Sequence, residues 1–91
     1  MTDQLTGTTP RLPWVREQLR IALDILDNPG GGLVFGYQAL GQARAHLAET
    51  EPERWEGAID DLEGAERQAL WRNYGRAHDL IQQALSKLPE S

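Results

Sequence analysis

The sequence predicts an all-α fold, a compact bundle of three to four antiparallel helices. Apolar residues recur at three- and four-residue spacing along most of the chain. No stretch alternates apolar and polar residues as a half-buried strand would, and short turns bearing proline or glycine punctuate the helical stretches. With 91 residues the chain makes one small domain with a thin core.

Residues 1–12 are rich in Thr, contain Gly7 and Pro10 and show no periodicity, so they read as a flexible N-terminal tail ahead of a single helical domain over 13–89. Helix one is expected from about Pro13 to Asp27. Proline suits a first helical turn, and Val15, Leu19, Ala22, Leu23 and Leu26 form one stripe, widened by Trp14, Ile21 and Ile25. Asn28-Pro29-Gly30-Gly31-Gly32 ends it, because a helix interior loses about 1 kcal/mol at each Gly and about 3 at Pro. Helix two resumes at Leu33, buries Tyr37, Leu40, Ala43 and Leu47, and should end near Glu49. The short turn makes the two helices antiparallel neighbours, and Gly36 and Gly41 on or beside the stripe imply a neighbouring backbone close by.

Thr50-Glu51-Pro52-Glu53 reads as a capping box opening helix three, with Thr50 accepting from a first-turn amide and Glu53 reaching back. The buried stripe would be Trp55, Ala58, Ile59, Leu62, Ala65 and Ala69. Continued, it would bury Asn73 and Arg76; the apolar positions instead move by one place to Leu70, Tyr74, Ala77, Ile81, Ala84, Leu85 and Leu88. One residue is about 100° of helix rotation, and an unbroken helix here would reach about 55 Å, longer than so small a domain. A break is therefore expected between Arg72 and Gly75.

Charge narrows the function classes. The chain has 14 acidic and 9 basic side chains, a net charge of −5. That balance argues against nucleic acid and anionic membranes as partners, since both demand a basic footprint. There is no run of 18 apolar residues and no cationic, apolar leader, which reads as a soluble, unprocessed, cytoplasmic protein. The absence of cysteine removes thiol chemistry, disulfides and Cys-ligated metals. From Glu49 to Glu66 eight acids face one base, Arg54, so this segment carries −7 and the rest of the chain +2.

Within that segment Glu53, Glu56, Asp60 and Glu63 fall on one helical face away from Ile59 and Leu62, with Asp61 beside them. Two readings stand, a solvated face and a rim for a basic protein partner. Trp71, Arg72 and Tyr74 supply the aromatic and guanidinium character of binding hot spots, Trp71 being either an interface anchor or a core or hinge residue. Gly30 to Gly32 lack the strand and Lys of a phosphate loop. Neither His46 nor His78 follows a Glu by three residues, so no di-iron set is present, and no metal or cofactor is expected.

Three resemblances bear on function. Arg72-Asn73-Tyr74-Gly75-Arg76-Ala77-His78 resembles the Arg-x(4–6)-His element of HEPN ribonucleases, which implies Arg72 on a scissile phosphate and His78 as acid/base. Trp55-Glu56-Gly57 resembles the signature of the secreted Trp-x-Gly helical hairpins, although His78 stands where that family's C-terminal acid belongs. The layout of a helix ending in Leu23-Asp24-Ile25-Leu26, a Pro-Gly turn, a second helix with Tyr37 and Leu40, an acidic turn, a third helix and Tyr74 is similar to small all-helical bacterial immunity proteins of type VI secretion systems. That resemblance implies a cytoplasmic inhibitor that blocks a cognate toxin. The leading expectation is a non-enzymatic module that occludes a basic partner through Glu53, Glu56, Asp60, Asp61 and Glu63, with Trp71, Arg72 and Tyr74 adding buried contacts. A secreted Trp-x-Gly-type helical hairpin or a self-associating helical module, including a homodimer, is the alternative, and an HEPN-like ribonuclease is the third reading.

Overall fold

Proline positions set two of the three turns. In the computed structural model, which describes residues 11–28, 30 and 32–89, Asn28 and Glu51 leave the helical region at φ −142° and −139°, both with ψ 69°. Each precedes a proline, whose ring crowds the preceding residue out of helical geometry. The helices so delimited are α1 (Leu12–Asp27), α2 (Leu33–Thr50), α3 (Glu56–Leu70) and α4 (Tyr74–Ser86); among the described residues there is no strand. The ordered domain thus starts at or before Leu12, slightly earlier than the expected 13, with Pro13 in the first turn. Residues 1–10 of the expected tail lie outside the described residues.

The α2–α3 junction departs from the expected capping box. Thr50 is the last residue of α2, and its hydroxyl donates to the His46 carbonyl at 2.8 Å, the back-bond that Thr makes inside a helix. A tight turn over Glu51–Trp55 intervenes, closed by Trp55 N–H donating to Glu51 O at 3.2 Å, and α3 starts with no side-chain cap. Glu53 consequently stays exposed.

The expected break between α3 and α4 is present, and its chemistry is a Schellman motif. Arg72 N–H donates to Ala69 O at 2.9 Å and Asn73 N–H to Gln68 O at 2.8 Å. This closure requires left-handed backbone at Arg72, φ 66°, a position that glycine ordinarily fills.

The four helices form a ring in which each touches its two neighbours, more extensively within the α1–α2 and α3–α4 hairpins than between them. Bonds between helices fix the antiparallel order. Arg11 N–H donates to His46 Nε2 at 2.9 Å, so the start of α1 meets the end of α2; Asp27 lies 3.3 Å from His78, so the end of α1 meets the start of α4. Val15 and Leu19, Leu47, Leu62 and Ile81, contributed by all four helices, are fully buried at the centre. Eight of the seventeen buried apolar residues are alanine, so the helices approach closely and few large side chains carry the packing. At Gly36 a methyl would stand 3.0 Å from Ile25 Cγ2, confirming a close approach there, by a side chain instead of the expected backbone. Gly41 has ordinary clearance, 3.5 Å to Glu66 Oε2.

Of the positions assigned to the second stripe, the core does not take Leu70 or half-buried Tyr74. Leu70 still belongs to α3, one residue and about 100° beyond buried Ala69, and is 65% exposed. No helix among the described residues is long and apolar enough to cross a membrane. Two substitutions test the turn. A methyl group added at Gly75, in the first turn of α4, would meet nothing within 4 Å, so Gly75→Ala should raise the unfolding free energy by about 0.5–1 kcal/mol. Arg72→Gly should raise it by up to about 1 kcal/mol by relieving the left-handed strain, both read from urea denaturation.

Candidate functional site

The acids of α3 sort by the direction they face. Glu66 points toward α2, where Arg44 Nε donates to its Oε2 at 2.9 Å. Asp61 points toward α4, where Lys87 Nζ donates to its Oδ2 at 2.6 Å, and its side chain is only 13% exposed. These two pairs bind α3 to both neighbours. Glu51, in the preceding turn, accepts from Arg54 at 3.4 Å.

Glu56, Asp60 and Glu63 lie within an arc of about 60° on the outer face, at 100° per residue, and Glu53 precedes them in the turn. All four are exposed, and among the described residues none forms an ion pair or a hydrogen bond. Of the four residues of the expected ridge, Glu56, Asp60 and Glu63 share the exposed outer face of α3, Glu53 lies before the helix in the turn, and Asp61, expected beside them, is turned into the α3–α4 seam. Arg67, one turn beyond Glu63, ends the ridge.

The aromatic residues divide differently. Trp55 is buried to 6% exposure under the guanidinium of Arg54, 4.7 Å from the ring centre, and its indole N–H has no hydrogen-bond partner. Trp14 is half-buried, edge-on to His46 at 5.4 Å, with Arg11 also 5.4 Å from its ring centre. Trp71 is 68% exposed at the C-cap of α3, next to exposed Arg72, while Tyr74 is half-buried. Of the two readings of Trp71, the core position is thereby overturned: its cap lies past the apolar stripe that Ala69 ends.

The structure does not join the eight predicted site residues into one patch. Glu53 and Glu56 stand at one end of the bundle and Trp71, Arg72 and Tyr74 at the other, separated by the length of α3, about 22 Å at 1.5 Å per residue. Between them a shallow groove of about 540 Å³ follows the α2–α3 seam, lined by Tyr37, Gly41, Arg44, Glu63, Glu66, Arg67 and Leu70. Burial pushes the Tyr37 hydroxyl above its ordinary pKa, reinforced by Tyr74 and Glu66, so it stays neutral and can donate a hydrogen bond into this groove. The apolar space beneath, bounded by Leu26, Leu33, Leu40 and Ala69, holds only about 10 Å³, at the limit of what a single water needs.

Val34 and Phe35 at the start of α2 are 64% exposed, surface that no sequence stripe assigns. Phe35 stands two residues after Leu33, hence on the opposite side of the helix, which was the available signal. Arg72 and His78 share the end of the bundle that bears Trp71, and half-buried His78 lies 3.3 Å from Asp27 across the α1–α4 seam. Trp55-Glu56-Gly57 sits at a helix junction, but the described residues form four helices where the Trp-x-Gly resemblance implied a two-helix hairpin. Among the described residues no three His, Asp or Glu side chains converge as metal ligands would. Compared with protein-family models, curated proteins and solved structures, the chain matches none.

The tryptophan environments are separable by fluorescence. Trp71→Phe should remove most of the emission that iodide quenches, whereas Trp55→Phe should leave that quenchable fraction in place, because one ring faces water and the other the core.

Proposed function

We propose that this chain is a non-enzymatic protein-binding module that neutralises a basic partner by occlusion, in its most concrete form a bacterial immunity protein that blocks a cognate toxin in the cytoplasm. The observation that carries the reading is the division of the acids on α3 and in the turn before it. Glu66 and Asp61 are matched to Arg44 and Lys87, whereas Glu53, Glu56, Asp60 and Glu63 face outward with no cation of their own. Like charges at helical i, i+3 and i+4 spacing cost a helix a few tenths of a kcal/mol each, about the gain of an exposed pair. A partner's lysines and arginines would turn that cost into attraction.

A rim of unpaired carboxylates on a rigid helix suits fast capture. Opposed fields raise association rates by about 10–10³ fold and lose that advantage as added salt shortens the Debye length, to about 8 Å at physiological ionic strength and less above it. Occlusion needs no chemistry from the inhibitor, only a surface that seats firmly over the partner's site. The layout resemblance to type VI immunity proteins supplies the particular form of this reading, and the acidic outer face of α3 supplies its physics.

The test pairs capture with kinetics. The wild-type chain and Glu56→Lys/Asp60→Lys/Glu63→Lys are used as baits in an extract of the native host, and the captured protein is purified for stopped-flow association. The triple variant should keep its helix content and associate at least about tenfold more slowly at low salt, with the difference shrinking as salt rises. Equal on-rates for the two proteins would remove the ridge as the docking surface.

A further inference from the structure

Four of the five large apolar side chains that are exposed on the described surface belong to one end of the bundle: Val34 and Phe35 at 64%, Leu70 at 65% and Trp71 at 68%. Antiparallel order sets all four at that end, because the α1–α2 and α3–α4 turns lie at the same end, away from Glu53 and Glu56, with Leu70 and Trp71 on α3 and its cap and Val34 and Phe35 on the first turn of α2. At fully exposed areas of about 150–250 Å² for such side chains, the four together present roughly 400–650 Å² of surface. Summed over one end of the bundle, that is comparable with the largest apolar patch an ordinary monomer leaves in water, about 300–600 Å².

The charges around this patch are divided between the two hairpins. The α3–α4 side carries Arg67, Arg72 and Arg76, all exposed and, among the described residues, in no ion pair. The α1 side carries Asp24 and Asp27, also exposed, Asp27 lying 3.3 Å from His78. Arg72 keeps its side chain here despite φ 66°, where glycine would relieve the backbone.

We propose that this end is a self-association surface, seating a second copy of the chain end to end about a two-fold axis. The two-fold sets the α3–α4 turn of each copy on the α1–α2 turn of the other, so Leu70 and Trp71 meet Val34 and Phe35 while Arg72 and Arg76 meet Asp24 and Asp27. Every contact is made twice, as an isologous interface requires. The bundle end measures about 23 × 21 Å, so the pair buries about 1,000 Å² in total, the lower bound for a specific interface, and the dimer is a weak one. End-to-end seating holds the two acidic ends at least about 40 Å apart, several Debye lengths, so the net charge of −5 per copy does not oppose it. A head-to-tail arrangement would instead press the apolar patch onto Glu53 and Glu56, which have no apolar surface to offer it.

Sedimentation equilibrium from about 10 µM to about 1 mM tests this, over the range where a weak dimer populates by mass action. The mass should climb toward twice that of the chain. Trp71→Ser and Phe35→Ser, both at exposed positions, should each weaken association at least about tenfold with unchanged helix content. Arg72→Glu/Arg76→Glu should remain monomeric alone and pair again when mixed with Asp24→Arg/Asp27→Arg. Glu56→Lys/Asp60→Lys/Glu63→Lys should dimerise like wild type, which separates this surface from the ridge. A single monomeric species up to the highest concentration, or a dimer indifferent to Trp71→Ser, overturns the proposal.

Discussion

The arrangement depends on α3 being held from three sides. Its apolar stripe from Ala58 to Ala69 closes the core beneath, Glu66 is bonded to Arg44 of α2 on one flank, and Asp61 to Lys87 at the end of α4 on the other. With three directions occupied, only the fourth remains for the other acids of the helix, and Glu56, Asp60 and Glu63 all take it. Exposed ion pairs contribute little, but Asp61 is nearly buried, and an unpaired carboxylate there would bear a desolvation cost without compensation. The buried stripe sets the rotation of α3 about its own axis, the flank pairs are consistent with it, and the outer ridge is a consequence of that rotation.

The same antiparallel ring gives the molecule two ends of different chemistry. The α2–α3 end gathers Glu49, Glu51, Glu53 and Glu56, whereas the opposite end displays Phe35, Leu70 and Trp71, with arginines on its α3–α4 side and aspartates on its α1 side. A core that is nearly half alanine leaves few large side chains to bury. Large apolar residues placed outside such a core do not serve the monomer's stability, so partners are the natural place to look for their use. An acidic face for a basic protein and an apolar end for a second copy are compatible on one small bundle because about 22 Å of helix lies between them.

Much of this was legible in the sequence. Proline and glycine placed the first turn, and the shift of the apolar stripe by one residue marked the reversal between α3 and α4, which the structure puts at Trp71–Asn73. The ridge followed from spacing alone. What escaped has identifiable physical causes. Thr50 can bond either forward as a cap or backward to His46, and Pro52 decided the matter by forcing Glu51 out of helical geometry, so that α2 ends on Thr50 and the start of α3 is left without a cap. The Schellman closure carries Arg72 in place of glycine, so its usual signature was missing. Asp61, expected beside the ridge as a docking residue, is bonded instead to Lys87, 26 residues later, a tertiary contact that no local pattern encodes. Leu70 looked like core because the two stripes overlap in sequence where the helices part in space.

The most direct measurement compares two sets of neutral substitutions on α3 by urea denaturation. Glu56→Gln/Asp60→Asn/Glu63→Gln removes only outward charge and should leave the unfolding free energy within about 0.5 kcal/mol of wild type or above it. Asp61→Asn/Glu66→Gln removes both flank pairs and should lower it by about 1–2 kcal/mol. If neutralising the outer acids destabilised the fold as much as neutralising the flank acids, the ridge would be part of the scaffold and not a surface held in reserve for another molecule.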